Sequence, residues 1–157
     1  MRYKVREVLT RKDLKKFIGF PVRLYKGCSQ YVPPLFKGQE HELMHAASLK
    51  YCTRKMWLAE DASGKVAGRI CAVINPRYNE KYGTARVRFG WFDLINDVEV
   101  ARALFAVAEE WAKGMGMTEI HGPLYYNTLG RQGMLVEGFD KLAPFSCLYN
   151  HPYYVDI

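Results

Sequence analysis

The stretch RVRFGWFDLINDVEVARALFAVAEEWAKGMGMTEIHGP, Arg86 to Pro123, decides the fold. Arg86 and Arg88 alternate with Val87 and Phe89, and at Trp91 and Phe92 the pattern becomes apolar on both faces, as in a central strand. Val98 to Met115 then places Ala101, Leu104, Phe105, Ala108, Trp111, Ala112 and Met115 on one apolar stripe, with Glu109, Glu110 and Lys113 turned away from it. Gly114 and Gly116 supply a stop, and Thr118 to His121 reads as a short strand ending at Gly122-Pro123. Strand, helix and strand within about 35 residues is the spacing of a parallel crossover unit, which makes the class α/β (α+β).

Upstream, Lys55 to Glu60 and Val66 to Asn75 read as strands flanking Asp61-Ala62-Ser63-Gly64, a hairpin turn by composition. Asn75 to Thr84 is expected to be a polar loop. Tyr3 to Leu9 has the period of a strand, and Thr10 is placed to cap a helix over Arg11 to Lys26. Pro21 should end or kink that helix after Gly19. Tyr31-Val32-Pro33-Pro34-Leu35 must be an extended connector, and helical spacing returns from Glu40 to Tyr51.

A chain of 157 residues, 49% hydrophobic and 14% aromatic, can bury a core as a single domain spanning 1–157. Its longest apolar runs fall well short of the roughly 20 residues of a bilayer span, and Met1 to Arg6 lacks the apolar stretch of a secretory signal. A cytoplasmic location without a membrane partner is therefore expected. Cys28, Cys52, Cys71 and Cys147 lie far apart, with no C-x-x-C pair, and are expected to be buried thiols. The net charge of +7 favours anionic partners in general. Because Lys12, Lys15, Lys16, Arg23 and Lys26 are spread through one amphipathic helix, a solvated face is expected there rather than a nucleic-acid patch.

His41-Glu42-Leu43-Met44-His45 matches H-E-x-x-H. On a helix the two imidazoles share a face and could bind one zinc ion while Glu42 polarises its water. The plausible third ligand is Glu60, on a strand end, so a zinc hydrolase is a third reading beside the two below. His121 and His151 have no partner spacing and read as structural.

The order strand, two helices, three antiparallel strands, crossover helix, strand resembles the GNAT N-acetyltransferase superfamily. FIGFPVRLYKG (17–27), YVPPL (31–35), VAGRICAVINPRYNE (66–80), GMTEIHGP (116–123), LVEGFD (135–140) and YNHPYY (149–154) resemble an uncharacterised bacterial group of GNAT-like proteins. The resemblance implies a mixed, mostly antiparallel sheet with helices on both faces and a splayed strand pair, 86–94 and 118–123. It also implies an acetyl-CoA or other acyl-CoA substrate lying in that gap, with its pyrophosphate on the amides at Ile95, Asn96, Asp97 and Val98. Members of the superfamily carry a glycine-rich loop there; this chain has none, and Asn96 with Glu99 reads as a capping box.

The resemblance further implies a catalytic tyrosine in the last helix, four residues before a Gly-Phe pair. Gly138-Phe139 is present but Met134 holds that position, so Tyr125 or Tyr126 is the candidate acid for the thiolate. Asn127 is the candidate amide against the pantetheine arm. Asp93 is the candidate base for the acceptor amine, small molecule or peptide, whose nitrogen would attack a thioester polarised by a β-bulge N–H. The alternative is a GNAT-shaped binding module without turnover. Such domains end in a further hairpin after a strand placed near Phe145 to Tyr149, which this chain is expected to lack, and the uncovered edge would favour a homodimer.

Overall fold

The computed structural model describes residues 2–127, 129–144 and 146–157. One open sheet runs in the order β1 (Lys4–Glu7), β2 (Thr53–Glu60), β3 (Val66–Ile74), β4 (Arg86–Leu94), β5 (Glu119–His121). The first four strands are antiparallel neighbours, and β5 lies parallel to β4 after the crossover. Helices α1 (Arg11–Leu24) and α2 (Phe36–His45) follow β1, α3 (Pro76–Tyr82) joins β3 to β4, and α4 (Val98–Gly114) is the crossover helix. The sheet has two apolar faces, each with its own core. Leu104, Ala108 and Val100 of α4 pack on Ile70, Val87 and Phe89, while Phe17 and Ile18 of α1 and Leu43 of α2 pack on Leu58, Cys71 and Val73. The expected mixed α/β architecture is thus the observed one.

Local chemistry explains the differences from the sequence expectation. Asn75 to Thr84 holds a short helix instead of a loop: Asn75 accepts from the Tyr78 amide at 3.0 Å, Pro76 opens the helix, and Gly83 closes it at φ +60°. No residue of α3 is buried, so it leaves no apolar stripe to read. Helix α2 begins at Phe36 and ends at His45, with a separate 3₁₀ turn over Ala47–Lys50. Helix α1 starts on the expected Thr10 cap but runs through Pro21 to Leu24. Pro21 cannot bond the Phe17 carbonyl; Arg69 Nη1 does so instead, at 2.9 Å.

Beyond β5, the described residues form neither the expected last helix around Met134–Phe139 nor a strand over 146–149; Phe145 lies outside the described residues. A single 3₁₀ turn covers Pro152–Val155. Residues 119–121 of β5, at one end of the strand order, are exposed. Cys52 and Cys71 are buried as expected, whereas Cys28 is half-buried and Cys147 exposed.

Helix α4 can lie close on β3 because position 68 is glycine: an added Cβ would stand 2.6 Å from Val100 Cγ1 and 3.0 Å from Leu104 Cδ1. Gly68→Ala should therefore destabilise the chain by about 1–3 kcal/mol in urea unfolding. Combining it with Val100→Ala should cost less than the two single changes added together.

Candidate functional site

Strands β4 and β5 pair from Arg86 to Arg88, and the chain after β5 stays against β4 rather than splaying from it as expected: the Leu124 amide donates to the Phe89 carbonyl at 2.7 Å. Just beyond, β4 carries a bulge: Arg69 faces Asp93 and Cys71 faces Gly90, so Trp91 and Phe92 together oppose Ile70. Trp91 takes φ +45°, which costs about 1–3 kcal/mol in a non-glycine residue. Its ring is held by stacking on Tyr125, with centroids 3.6 Å apart and planes at 14°. The bulge sends Trp91 to the α1/α2 face and Phe92 to the α4 face.

Each face has its own recess. On the α1/α2 side a cavity of about 50 Å³, of mixed polar and apolar lining, holds the Arg69–Asp93 pair and is walled by Trp91, Tyr125, Arg131 and Leu148. The Trp91 indole N–H is buried and has no partner among the described residues. On the other side an apolar groove of about 500 Å³ runs between β4 and α4, lined by Phe89, Val98, Ala101 and Phe105. Phe92, Met134 and Tyr154 line both recesses, so they form the partition between them, beside the bulge.

Asp93 is neither a water-facing carboxylate nor a free base. Its Oδ2 accepts from Arg69 Nε and Nη2, each at 2.7 Å, and its Oδ1 accepts from the Tyr25 hydroxyl at 3.0 Å. Burial pushes the Arg69 guanidinium toward neutrality and Asp93 outweighs it, so the arginine is held charged. Tyr25 in turn lies 3.4 Å from the Tyr154 hydroxyl, which accepts from the Leu94 amide at 2.9 Å. Tyr153 donates to the Leu94 carbonyl at 2.7 Å, so hydroxyls of the chain's own last turn occupy both polar groups of that peptide unit. Burial pushes the Tyr25 and Tyr154 hydroxyls well above the usual tyrosine range.

The other sequence candidates lie as follows. Tyr125 is a buried wall of the cavity around Arg69 and Asp93, its hydroxyl pushed up by burial. Tyr126 packs in the α1/α2 core, and its buried hydroxyl has no partner among the described residues. Asn127 spends its side-chain oxygen on its own turn, accepting from the amides of Leu129 (2.9 Å) and Gly130 (3.1 Å). Ile95 and Val98 are part-exposed at the mouth of α4. The cap of α4 is Asp97 rather than Asn96: its Oδ1 accepts from the Glu99 amide at 3.0 Å, and its Oδ2 is held by Tyr3 (2.7 Å) and Arg2 (3.0 Å). Hydrogen bonding from Tyr3 and the Glu99 amide keeps this carboxyl below its usual range, fixing a negative charge where a diphosphate would sit.

The H-E-x-x-H residues divide between two environments. His41 and His45 face an outer groove with ring centroids 5.7 Å apart, while Glu42 turns inward and accepts from Gln39 at 3.0 Å. Glu60, the expected third ligand, is instead paired with Arg6 at 2.9 Å and Lys16 at 3.1 Å. No group of three or more metal-ligating side chains occurs among the described residues. The zinc-hydrolase reading is overturned by this divergence of Glu42 and the commitment of Glu60.

Residues the sequence reading missed are Arg69, Tyr25, Trp91 and Tyr154. A signal existed for the first: Arg69 is a lone charge inside the apolar run VAGRICAVI, and Asp93 is the lone carboxylate of the neighbouring strand.

Comparison of the coordinates with solved structures gives one consistent answer. A tandem GNAT protein from the clavulanic acid biosynthesis pathway superposes with TM-score 0.60 at 15% identity, over 75% of this chain and 35% of the other. The fold is that of the GNAT N-acetyltransferases. A predicted acetyltransferase from Clostridium acetobutylicum, solved with acetyl-CoA, gives TM-score 0.54 at 13% identity over 76% of this chain and 79% of that one. Glucosamine-6-phosphate N-acetyltransferase from Arabidopsis thaliana gives 0.52 at 14% identity, over 77% and 81%. In sequence, the GNAT-like chain is 37% identical to Protein YghO of Escherichia coli over 151 residues, 96% of its own length. It is 30% identical to a bacterial ceramide synthase of Caulobacter vibrioides over 152 residues, 94% of its length. It spans 38% of the length of each of these two relatives. No protein-family model matches it.

Removing one partner of the Arg69–Asp93 pair strands a buried charge, so Arg69→Met should lower stability by about 3–5 kcal/mol. The Arg69→Met, Asp93→Leu double variant should recover part of that, with a coupling of about 2 kcal/mol or more in a double-mutant cycle. Burial also raises the Glu42 carboxyl above its usual range. A carboxyl raised by folding opposes stability once pH exceeds its unfolded value. Glu42→Gln should thus stabilise the chain at pH 7, a gain that vanishes below about pH 4 in urea unfolding.

Proposed function

We propose that this GNAT-fold chain forms an amide, as an acyl-CoA-dependent N-acyltransferase that takes a fatty-acyl group to an amine. The observation that carries this reading is the meeting, at one partition beside the β4 bulge, of an apolar groove and a smaller cavity that holds the buried Arg69–Asp93 pair. Two substrates can approach the bulge from opposite faces of the sheet. The groove along α4 takes the pantetheine arm and its acyl chain on Phe89, Phe92 and Phe105; the cavity takes the acceptor amine. The Caulobacter relative supports this choice of product, since a ceramide is an amide of a fatty acid.

In the reaction the amine nitrogen attacks the thioester carbonyl, a C–N bond forms and the C–S bond breaks. The departing thiolate needs a proton, and the amine must lose one. Tyr154, on the partition, replaces the tyrosine that Met134 displaces: it gives its hydroxyl proton to the sulfur and regains one from the attacking nitrogen. Asp93, both oxygens engaged, acts through the Tyr25 hydroxyl, which orients Tyr154. Tyr125 shapes the cavity wall by its stack on Trp91.

A second reading, a binding module without turnover, is favoured by one specific feature: Asp97 and the tyrosines on Leu94 already occupy positions where a CoA substrate would bond. Thiol release from palmitoyl-CoA and acetyl-CoA, with a small primary amine as acceptor, separates the two. Turnover is expected with palmitoyl-CoA, and Tyr154→Phe should lower kcat about 100-fold with little change in KM for the acyl donor. Absence of thiol release, with no rise in melting temperature on adding palmitoyl-CoA or CoA, sinks the transferase reading and leaves the module.

A further inference from the structure

A third recess lies apart from both others. It opens between the β1–α1 junction and the outer side of α2, floored by Leu14, Met44 and Met56, with a volume of about 620 Å³. Its walls carry the cations Arg11, Lys37 and Arg54 against one carboxylate, Glu40, which already stands 3.8 Å from Arg11. Arg54 has no ion-pair partner among the described residues; its Nε is buried on the side of the Tyr126 hydroxyl, and its Nη2 reaches the Met44 sulfur at 3.2 Å. What the groove can offer an anion is the unpaired charge of Arg54 together with Lys37 and Arg11.

Large apolar side chains stand in water beside these cations. Leu9, on the rim, is 78% exposed and Met44 43% exposed. Phe36, 42% exposed, lies one turn before Glu40 on the same face of α2, and Lys15 lies one turn after Arg11 on α1. Cations interleaved with exposed Leu, Phe and Met match a bilayer interface, where apolar side chains enter the acyl boundary and cations meet phosphate. A nucleic acid would use the charges but leave those apolar groups in water.

We propose that this groove and its rim dock the chain on an anionic phospholipid surface, with a lipid phosphate drawn toward Arg54 and Lys37. No helix of the described residues is long and apolar enough to cross a membrane; the contact is peripheral. The inference does not rest on the transferase reading, because it concerns the face formed by β1, α1 and α2 and uses none of the groove along α4.

The test is co-sedimentation of the chain with vesicles of phosphatidylcholine alone or with about 30% phosphatidylglycerol, in about 0.1 M salt. Binding to the anionic vesicles should exceed binding to neutral ones at least tenfold. Lys37→Gln should weaken it about fivefold, near the worth of one surface cation, and Leu9→Ser with Phe36→Ser should reduce it further. These side chains are exposed, so folding is retained. Lys113→Gln on α4, an equal loss of charge, should leave binding unchanged. The proposal is overturned if Lys113→Gln weakens binding as much as Lys37→Gln, or if the Leu9 and Phe36 changes have no effect. It is also overturned if millimolar inorganic phosphate or single-stranded RNA displaces the chain from vesicles, which would mark a soluble-anion or nucleic-acid site.

Discussion

The ion pair between Arg69 and Asp93 is the contact on which both the fold and the site depend. Two charges on adjacent central strands, 4% and 8% exposed, would be prohibitive alone; together, with the Tyr25 hydroxyl on Asp93 and the Phe17 carbonyl on Arg69, they become a fixed point. Arg69 supplies the hydrogen bond that Pro21 withholds from the Phe17 carbonyl, so a residue that would break α1 becomes one of its buried contacts. The pair thus ties α1 to β3 and β4 and fixes the strand end from which the candidate site opens.

Asp93 also sets the register of the bulge. With Asp93 opposite Arg69 and Gly90 opposite Cys71, the two residues between them have only Ile70 to face, and the extra residue must turn. Gly90 makes room: an added Cβ there would stand 2.8 Å from the Leu124 carbonyl oxygen. The strain at Trp91 is absorbed by the Tyr125 stack, and the outcome is that consecutive side chains, Trp91 and Phe92, serve opposite faces of the sheet. A recess on either side of one strand, the cavity around Arg69 and Asp93 and the apolar groove along α4, is the consequence of that alternation.

What could be read from the sequence follows from where each element's energy lies. Strands β2 to β4 and helix α4 are held by burial, so their periodicity announced them, with β4 found over the expected residues. Helix α3 is held by its caps and buries nothing, and hydropathy misses it although the Asn75-Pro76 and Gly83 pattern was present. Of the site, Asp93 and Tyr125 were named, but their settings were not. That Asp93 meets Arg69 depends on strand register, and that Tyr154 meets Tyr25 across 129 positions depends on the path of the chain after β5, where no periodic pattern guides the reading. The H-E-x-x-H match failed for a related reason: the spacing holds both histidines on one face but says nothing of where the third ligand and the glutamate point.

The mouth of α4 bears on which acyl donor the groove could hold. In a site built to bind diphosphate, helix-end amides and a glycine-rich approach supply affinity for the nucleotide half, whatever the acyl group. Here Asp97 is anchored by Tyr3 and Arg2 and bonded to the Glu99 amide, so that contribution is diminished and partly reversed. Affinity then has to come from the apolar half of the donor, at about 0.8 kcal/mol for each buried methylene. An acetyl group offers one methyl to the groove; a fatty-acyl chain offers many, against Phe89, Phe105 and Val98. The same substitution that weakens the case for an acetyl donor therefore strengthens the case for a long one, and on the proposed function the loss of the glycine-rich loop becomes a change of donor class.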